Sequence, residues 1–131
     1  MDFEVETSPT ADGNGLLVAV CGDLDMASCE RLKPAGDEAV FGRRPLILDL
    51  SACSFIDSSG LRLLLQIHRG LTDDDAPSVP MAIVIGKSPT RKMFSLTAID
   101  HTIPLFDTLE EADEWLKDEQ GHDGSRPPGA T

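Results

Sequence analysis

Basic residues are scarce in this sequence. Its 131 residues contain 11 lysines and arginines against 23 aspartates and glutamates, which gives a formal net charge of -12. A chain with this charge repels the phosphate backbone of a nucleic acid instead of attracting it. We therefore expect no direct binding to nucleic acid, so that any control of transcription passes through another protein.

Long apolar runs and closely spaced cysteine pairs are also missing. No stretch approaches the roughly 18 consecutive apolar residues of a membrane helix, and the start Met1-Asp2-Phe3-Glu4 has neither the basic nor the apolar region of a secretory signal. Cys21, Cys29 and Cys53 are odd in number and lack the spacing of a zinc site. The sequence predicts a cytoplasmic protein with no membrane contact, metal or cofactor, whose thiols are free and buried.

Signatures of catalysis and nucleotide binding are absent as well. There is no Gly-x-x-x-x-Gly-Lys phosphate loop and no dinucleotide fingerprint. Ile56 occupies the place where a hydrolase Gly-x-Ser-x-Gly signature around Ser58 requires glycine. His68 lies further along the same predicted helix, about 15 Å from Ser58 at ~1.5 Å per residue, which is too far to take its proton. We expect no enzyme activity, and an enzyme or nucleotide-binding protein that uses Asp57 and Ser58 is the least favoured alternative.

Strand-like and helix-like segments alternate along the chain. With 40% hydrophobic residues, the sequence provides enough apolar surface for one core. Strands are predicted at 3–6, 15–21, 46–50, 81–85 and 103–106, and the first two form a hairpin. Helices are predicted after Asp25, from about Ser58, from Ser88 as N-cap, and after the capping box that begins at Thr108. Pro34 should kink the first helix or end it near Lys33.

The most informative segment joins a buried strand to the start of a helix. Leu46 to Leu50 is a mostly apolar run typical of a strand covered on both faces, and apolar residues recur at helical spacing from Leu61 onward. Asp57 and Ser58 stand at the junction, where aspartate and serine are preferred caps for the unpaired N–H groups of a first helical turn. Capping explains an Asp-Ser-Ser-Gly tetrapeptide by itself, so the tetrapeptide alone does not establish a function.

Three separated motifs together point to a known family. They are Gly22-Asp23-Leu24-Asp25, Phe55-Ile56-Asp57-Ser58-Ser59-Gly60-Leu61, and Ser88-Pro89-Thr90-Arg91-Lys92-Met93-Phe94 followed by Leu96-Thr97-Ala98-Ile99-Asp100. With these motifs the chain resembles the STAS domain family, named for sulfate transporters and anti-sigma factor antagonists, from Phe3 to Lys117. Within that family it resembles the small bacterial anti-sigma factor antagonists.

The resemblance implies an α/β fold: a single STAS-like domain with a mixed β-sheet of four to five strands and about four helices packed mainly on one side. We expect this domain to cover residues 1–118, and residues 119–131 to form a flexible C-terminal tail because they lack apolar periodicity. The chain departs from the family pattern at Arg62, where some members have glycine, and at Ala98, which replaces a frequent glycine.

The resemblance also assigns roles to particular residues. In the family, the serine directly after the motif aspartate is phosphorylated by the partner anti-sigma factor, which is itself a serine kinase. The match places that role on Ser58, with Ser59 the less favoured hydroxyl. The partner-binding residues expected from the match are Asp23, Asp25, Asp57, Ser58, Ser59, Gly60, Leu61 and Arg62.

These roles predict partner switching in the regulation of transcription during a stress response. The unphosphorylated form binds the anti-sigma factor and releases its sigma factor, phosphorylation of Ser58 reverses the binding, and a serine phosphatase resets it. A weak homodimer is left open. The main alternative is a constitutive STAS scaffold, or an accessory subunit of a larger signalling or transport assembly, that serine phosphorylation does not control.

Overall fold

The chain alternates between strands and helices, as the sequence predicts. A computed structural model describes residues 3–73, 76–97 and 99–121, with only the backbone of residues 120 and 121. The elements in chain order are β1 (Glu4–Pro9), β2 (Leu16–Leu24), α1 (Met26–Gly42), β3 (Leu46–Ile56), α2 (Ser58–Leu71), β4 (Met81–Val84), α3 (Arg91–Leu96), a 3₁₀ turn (Ile99–His101), β5 (Leu105–Phe106) and α4 (Leu109–Gly121). The rest of the predicted tail, residues 122–131, lies outside the described residues, as do Ala98 and the pair 74–75.

One mixed sheet organises the fold. Its five strands lie in the order β1-β2-β3-β4-β5, with β1 antiparallel to β2 and the remaining neighbours parallel. The predicted hairpin of the first two strands is confirmed. We call the edge where β2 and β3 end the carboxyl edge, and the edge where β2, β3 and β4 begin the amino edge.

Both faces of the sheet are covered by helices. The larger core lies on the face that carries α1, α2 and α3, and it includes Leu32, Leu64 and Phe94 of those helices. A smaller core on the opposite face packs α4, through Ala112 and Leu116, against β3 and β4. Three of the four helices therefore share one face, which confirms the predicted arrangement.

Pro34 was predicted to kink the first helix or to end it near Lys33, and the second alternative was wrong, because α1 continues to Gly42 with Pro34 inside it. Proline has no N–H to donate to the carbonyl one turn earlier, so one helical hydrogen bond is lost. The apolar face nevertheless continues beyond the proline, where Ala35 and Ala39 are buried. Burial of this face against the sheet keeps the helix intact, since tertiary packing overrides local propensity.

The prediction that Ser88 is the N-cap of the third helix was also wrong, because α3 begins at Arg91 with Thr90 in the cap position. The Ser88 hydroxyl lies 2.7 Å from the carbonyl oxygen of Cys53 and accepts the N–H of Thr90 at 3.1 Å. The buried Ser88 side chain therefore attaches the segment before α3 to β3. This contact between segments distant in sequence has no local signal.

Two arginines close the amino edge. Arg43 ends α1 in the left-handed backbone region, with φ 50°. Its guanidinium donates hydrogen bonds to the backbone carbonyls of Gly70 at 2.8 Å and Leu71 at 3.0 Å, and also to that of Pro77. Arg44 donates to a carbonyl of the turn before β2 at 3.1 Å. The last turns of α1 and α2 and the loops beside them are thus held together by side chains of this chain.

Candidate functional site

The carboxyl edge brings two of the three sequence motifs together. β2 and β3 pair in parallel up to their ends, where Asp23 is opposite Phe55 and Leu24 is opposite Ile56. Beyond the strands, the N–H of Asp57 donates to the carbonyl of Leu24 at 3.2 Å. The turn into α1 and the turn into α2 therefore lie side by side.

Asp25 caps α1, as expected from the sequence. Its Oδ1 accepts the N–H of Ser28 at 3.0 Å, and its own N–H donates to the Ser28 hydroxyl at 2.8 Å, which completes a reciprocal capping box. The Ser28 hydroxyl also donates to the backbone carbonyl of Asp23 at 2.7 Å. The hydrogen bonds from Ser28 lower the pKa of Asp25. The backbone that carries these two aspartates is therefore well fixed.

Asp57 caps α2, which begins at Ser58 as predicted. Its Oδ1 accepts the N–H of Gly60 at 3.0 Å, and its carbonyl accepts the N–H of Leu61 at 3.0 Å. The carboxylate therefore serves the first turn of the helix.

Ser58 occupies the first position of α2 and is exposed, whereas Ser59 is half-buried. The structure thus presents at the surface the serine that the sequence favours for phosphorylation. Gly60 and Leu61, which the sequence places in the partner-binding set, lie in the interior. Arg62, one turn into the helix, is exposed beside Met26 on the groove between α1 and α2.

Gly60 explains how α2 comes so close to the sheet. A Cβ atom at this position would lie 2.7 Å from the carbonyl oxygen of Leu24 and 2.7 Å from Cγ1 of Ile56. These distances are shorter than van der Waals contact, so the approach requires glycine. Gly60 and the buried Leu61 therefore position the exposed Ser58 rather than offer a surface themselves.

Three aspartates lie at the same edge of the sheet as Ser58. Asp23 is exposed, and Asp25 and Asp57 are half-buried at the same edge. Burial raises the pKa of the Cys29 thiol, and the carboxylates of Asp57 and Asp25 raise it further, which places both charges near this one side chain. Any anion added to Ser58 enters a region that already carries carboxylates.

The sequence did not predict that large apolar side chains are exposed at this edge. Met26 is 74% exposed directly after the cap of α1, and Phe55 is 51% exposed near the end of β3. Leu96 of α3 is 74% exposed and lines the same groove as Phe55. The available signal was weak: each lies in or next to one of the three motifs, but exposure of an apolar residue has no sequence signature.

The three cysteines are free, with Cys53 buried and Cys21 and Cys29 half-buried. Within the described residues, no group of three or more His, Cys, Asp and Glu side chains is arranged to hold a metal ion. None of the helices in the described part is both long enough and apolar enough to cross a membrane.

Comparison with known proteins identifies the family. A family model described as the STAS domain matches residues 2–112. This chain belongs to the STAS domain family. The STAS protein named anti-sigma-F factor antagonist RsfB, from Mycobacterium tuberculosis, is 33% identical over 108 residues, which cover 81% of this chain and 85% of that relative.

Solved structures agree with this assignment. The crystal structure of an anti-sigma factor antagonist from Mycobacterium paratuberculosis superposes with a TM-score of 0.79 at 28% identity, over 89% of this STAS chain and 96% of that one. The Bacillus cell fate determinant SpoIIAA in its phosphorylated form gives a TM-score of 0.59 at 24% identity, over 88% and 99% of the two chains. At that identity the second likeness shows the shared fold alone.

Proposed function

We propose that this STAS domain is an anti-sigma factor antagonist that works by partner switching. Its unphosphorylated form binds an anti-sigma factor that is also a serine kinase, and the bound anti-sigma factor releases its sigma factor. Phosphorylation of Ser58 reverses the binding, and a serine phosphatase restores it. The observation that carries the proposal is the exposed Ser58 hydroxyl at the start of α2, held at the carboxyl edge among three carboxylates.

The switch follows from charge. A phosphoserine adds roughly 1.5 to 2 negative charges at neutral pH. The positive end of the α2 dipole favours an anion by about 0.3–1 kcal/mol at an exposed site, so the isolated domain keeps nearly the same stability. In a complex, the phosphate has to lose water against the partner beside Asp23 and Asp57. A loss of about 2.7 kcal/mol lowers affinity ~100-fold, which is enough to release a partner without refolding.

The chemistry of phosphorylation is assigned to the partner. In-line transfer of a phosphoryl group depends on positioning of the hydroxyl and on neutralisation of charge by metal ions around ATP. This chain contributes an exposed hydroxyl on a fixed helix terminus, with Asp57 holding that terminus through the Gly60 N–H at 3.0 Å. The kinase brings ATP, magnesium and its own catalytic groups, so the chain acts as substrate and not as enzyme.

The experiment is phosphorylation followed by mapping of the site. The purified chain is incubated with anti-sigma factors and magnesium-ATP, with the anti-sigma-F factor of Mycobacterium tuberculosis as the first candidate. Mass spectrometry should place a single phosphate on Ser58. The Ser58→Ala variant should bind the same anti-sigma factor and gain no phosphate, whereas the neighbouring Ser59→Ala variant should still be modified.

Two outcomes would reject the proposal. One is phosphate mapped only to Ser59 or elsewhere. The other is an association with the anti-sigma factor that is equally tight for the wild type and a Ser58→Glu variant when measured by calorimetry. The second outcome would favour a constitutive scaffold, since binding would then be independent of charge at this position.

A further inference from the structure

Exposed apolar side chains are unevenly distributed over this molecule. Among the described residues, the large hydrophobic side chains that are exposed are Met26 at 74%, Phe41 at 82%, Phe55 at 51% and Leu96 at 74%. Phe41 lies near the end of α1, close to the amino edge, and the other three surround the carboxyl edge that carries Ser58. Clustered exposed apolar surface beside polar residues is typical of a binding site.

Phe55 and Leu96 belong to one groove, which we call the β3–α3 groove. Its lining includes Phe55 at the end of β3 and Pro89, Lys92, Met93 and Leu96 in and before α3. The groove exists because β3 is longer than its neighbour. β4 pairs with β3 only as far as Asp49, whereas β3 continues to Ile56, so α3 lies beside the end of β3 where a strand would otherwise pair.

Both walls of the β3–α3 groove are fixed. The buried Phe94 anchors α3 in the core, and the Ser88 hydroxyl lies 2.7 Å from the carbonyl oxygen of Cys53 in β3. Ser88 also lies 2.7 Å from the Thr90 hydroxyl, which holds the turn before α3. A preformed apolar groove binds a side chain at a lower entropic cost than one that has to be ordered first.

The positive charge of Lys92 beside the groove indicates what kind of partner surface fits there. Lys92 is exposed at its rim and has no ion pair with any described residue. In a chain with a net charge of -12, an unpaired cation beside apolar surface complements a partner that carries a carboxylate next to an apolar side chain. A second copy of this chain fits less well, because two copies would bring Asp23 and Asp57 of each into the same interface.

We propose that the β3–α3 groove is a second docking contact for the anti-sigma factor. It receives an apolar side chain of the partner, and Lys92 pairs with an acidic residue beside that side chain. This inference rests on the proposed function, because Phe55 lies three residues before Ser58, at the end of β3, and the proposed partner covers Ser58. The groove holds the partner through an apolar contact, and phosphorylation of Ser58 weakens the complex until the partner dissociates.

The test is calorimetric binding of the anti-sigma factor that phosphorylates Ser58 in the experiment above, again with the mycobacterial anti-sigma-F factor as first candidate. Phe55→Ser and Leu96→Ser should each weaken binding at least about tenfold, as truncation of a buried anchor does. Phe41→Ser is the matched control at the amino edge and should change affinity by less than about twofold. Lys92→Glu should weaken binding in low salt, whereas Lys117→Glu on α4 should not. Thermal unfolding of each variant checks that the fold is retained.

The outcomes separate this proposal from the one on which it rests. If the wild type binds in a Ser58-dependent manner while Phe55→Ser and Leu96→Ser bind as tightly, the groove proposal is overturned and partner switching stands. If no anti-sigma factor binds the wild type, both are overturned. Sedimentation of the isolated chain identifies the other occupant: self-association that is lost in Leu96→Ser assigns the groove to a second copy and contradicts the proposal.

Discussion

The two edges of the sheet differ in how their polar groups are used. At the amino edge, the guanidinium groups of Arg43 and Arg44 donate to backbone carbonyls of neighbouring loops, so the edge is closed by contacts within the chain. At the carboxyl edge, the carboxylates of Asp25 and Asp57 accept backbone N–H groups of the helix caps, and Ser58 and Phe55 remain exposed. One edge is therefore closed by contacts within the chain, whereas the other leaves side chains exposed, and our proposal assigns these to a partner.

The largest expected effect on stability lies at the carboxyl edge. Gly60→Ala should lower the free energy of unfolding by about 2–3 kcal/mol, because the added methyl group overlaps the backbone carbonyl of Leu24. Urea denaturation measures this loss. Gly42→Ala is the control at the amino edge, since a Cβ there meets only the Arg44 side chain at 3.4 Å, and its effect should stay within about 0.5 kcal/mol. Equal stability of the two variants would contradict the close approach described for α2.

The second largest expected effect on stability comes from the amino edge, and it tests whether the two edges have different roles. Arg43→Ala should lower the free energy of unfolding by about 2 kcal/mol, because the partly buried carbonyl of Gly70 loses its guanidinium donor. The carbonyl of Leu71 also loses the guanidinium but keeps the N–H of Val79 at 2.8 Å. Arg62→Ala at the carboxyl edge should leave stability within about 0.5 kcal/mol of the wild type. Binding of the anti-sigma factor should show the opposite order, with Arg62→Ala weaker and Arg43→Ala unchanged. A change in affinity for the anti-sigma factor caused by Arg43→Ala in the folded protein would contradict the proposal that only the carboxyl edge contacts the partner.

A smaller effect is expected from the cap of α2. Asp57→Ala should cost about 1 kcal/mol of stability, because the N–H of Gly60 loses its acceptor. Asp57→Asn should retain most of the cap, since asparagine is an equally good N-cap residue. Thermal unfolding of both variants measures the difference. If Asp57→Asn and Asp57→Ala are equally destabilising, Asp57 stabilises the fold through its charge and not through its hydrogen bond to the Gly60 N–H.

The smallest expected effect is the contribution of Asp25 to the pH dependence of stability. Hydrogen bonds from Ser28 lower the pKa of Asp25 in the folded state. Its contribution to stability is therefore fully present above the unfolded pKa, near 3.9, and is lost as the pH falls through the lower folded value. Denaturation between about pH 5 and pH 2 should show a shallower loss of stability for Asp25→Asn than for the wild type. Identical slopes would show that this cap does not titrate in that range.

Sequence patterns predicted what depends on local chemistry. The caps at Asp25, Asp57 and Thr108 follow from preferences of neighbouring residues, and the Thr108 box is confirmed by reciprocal hydrogen bonds with Glu111 at 3.2 Å. The positions of the strands and the hairpin followed from the apolar and turn patterns, and the mixed sheet followed from the resemblance to the family. The start of α2 at Ser58 followed from its place directly after the predicted cap.

Contacts between distant segments were not predictable in this way. Pro34 was expected to kink α1 or to end it, but α1 does not end there, because burial of Ala39 beyond the proline maintains the helix. Ser88 was expected to cap α3, but its hydroxyl contacts the carbonyl of Cys53 instead. The β3–α3 groove depends on where β4 stops pairing with β3, which no local pattern records.

The central claim is that a phosphate on Ser58 controls whether a partner binds at the carboxyl edge. The most direct measurement compares the Kd of one anti-sigma factor for two homogeneous preparations of this chain, one unphosphorylated and one carrying a single phosphate on Ser58, by calorimetry in the same buffer. The account predicts that the phosphorylated form binds about 100-fold more weakly. Equal Kd values for the two forms would contradict it.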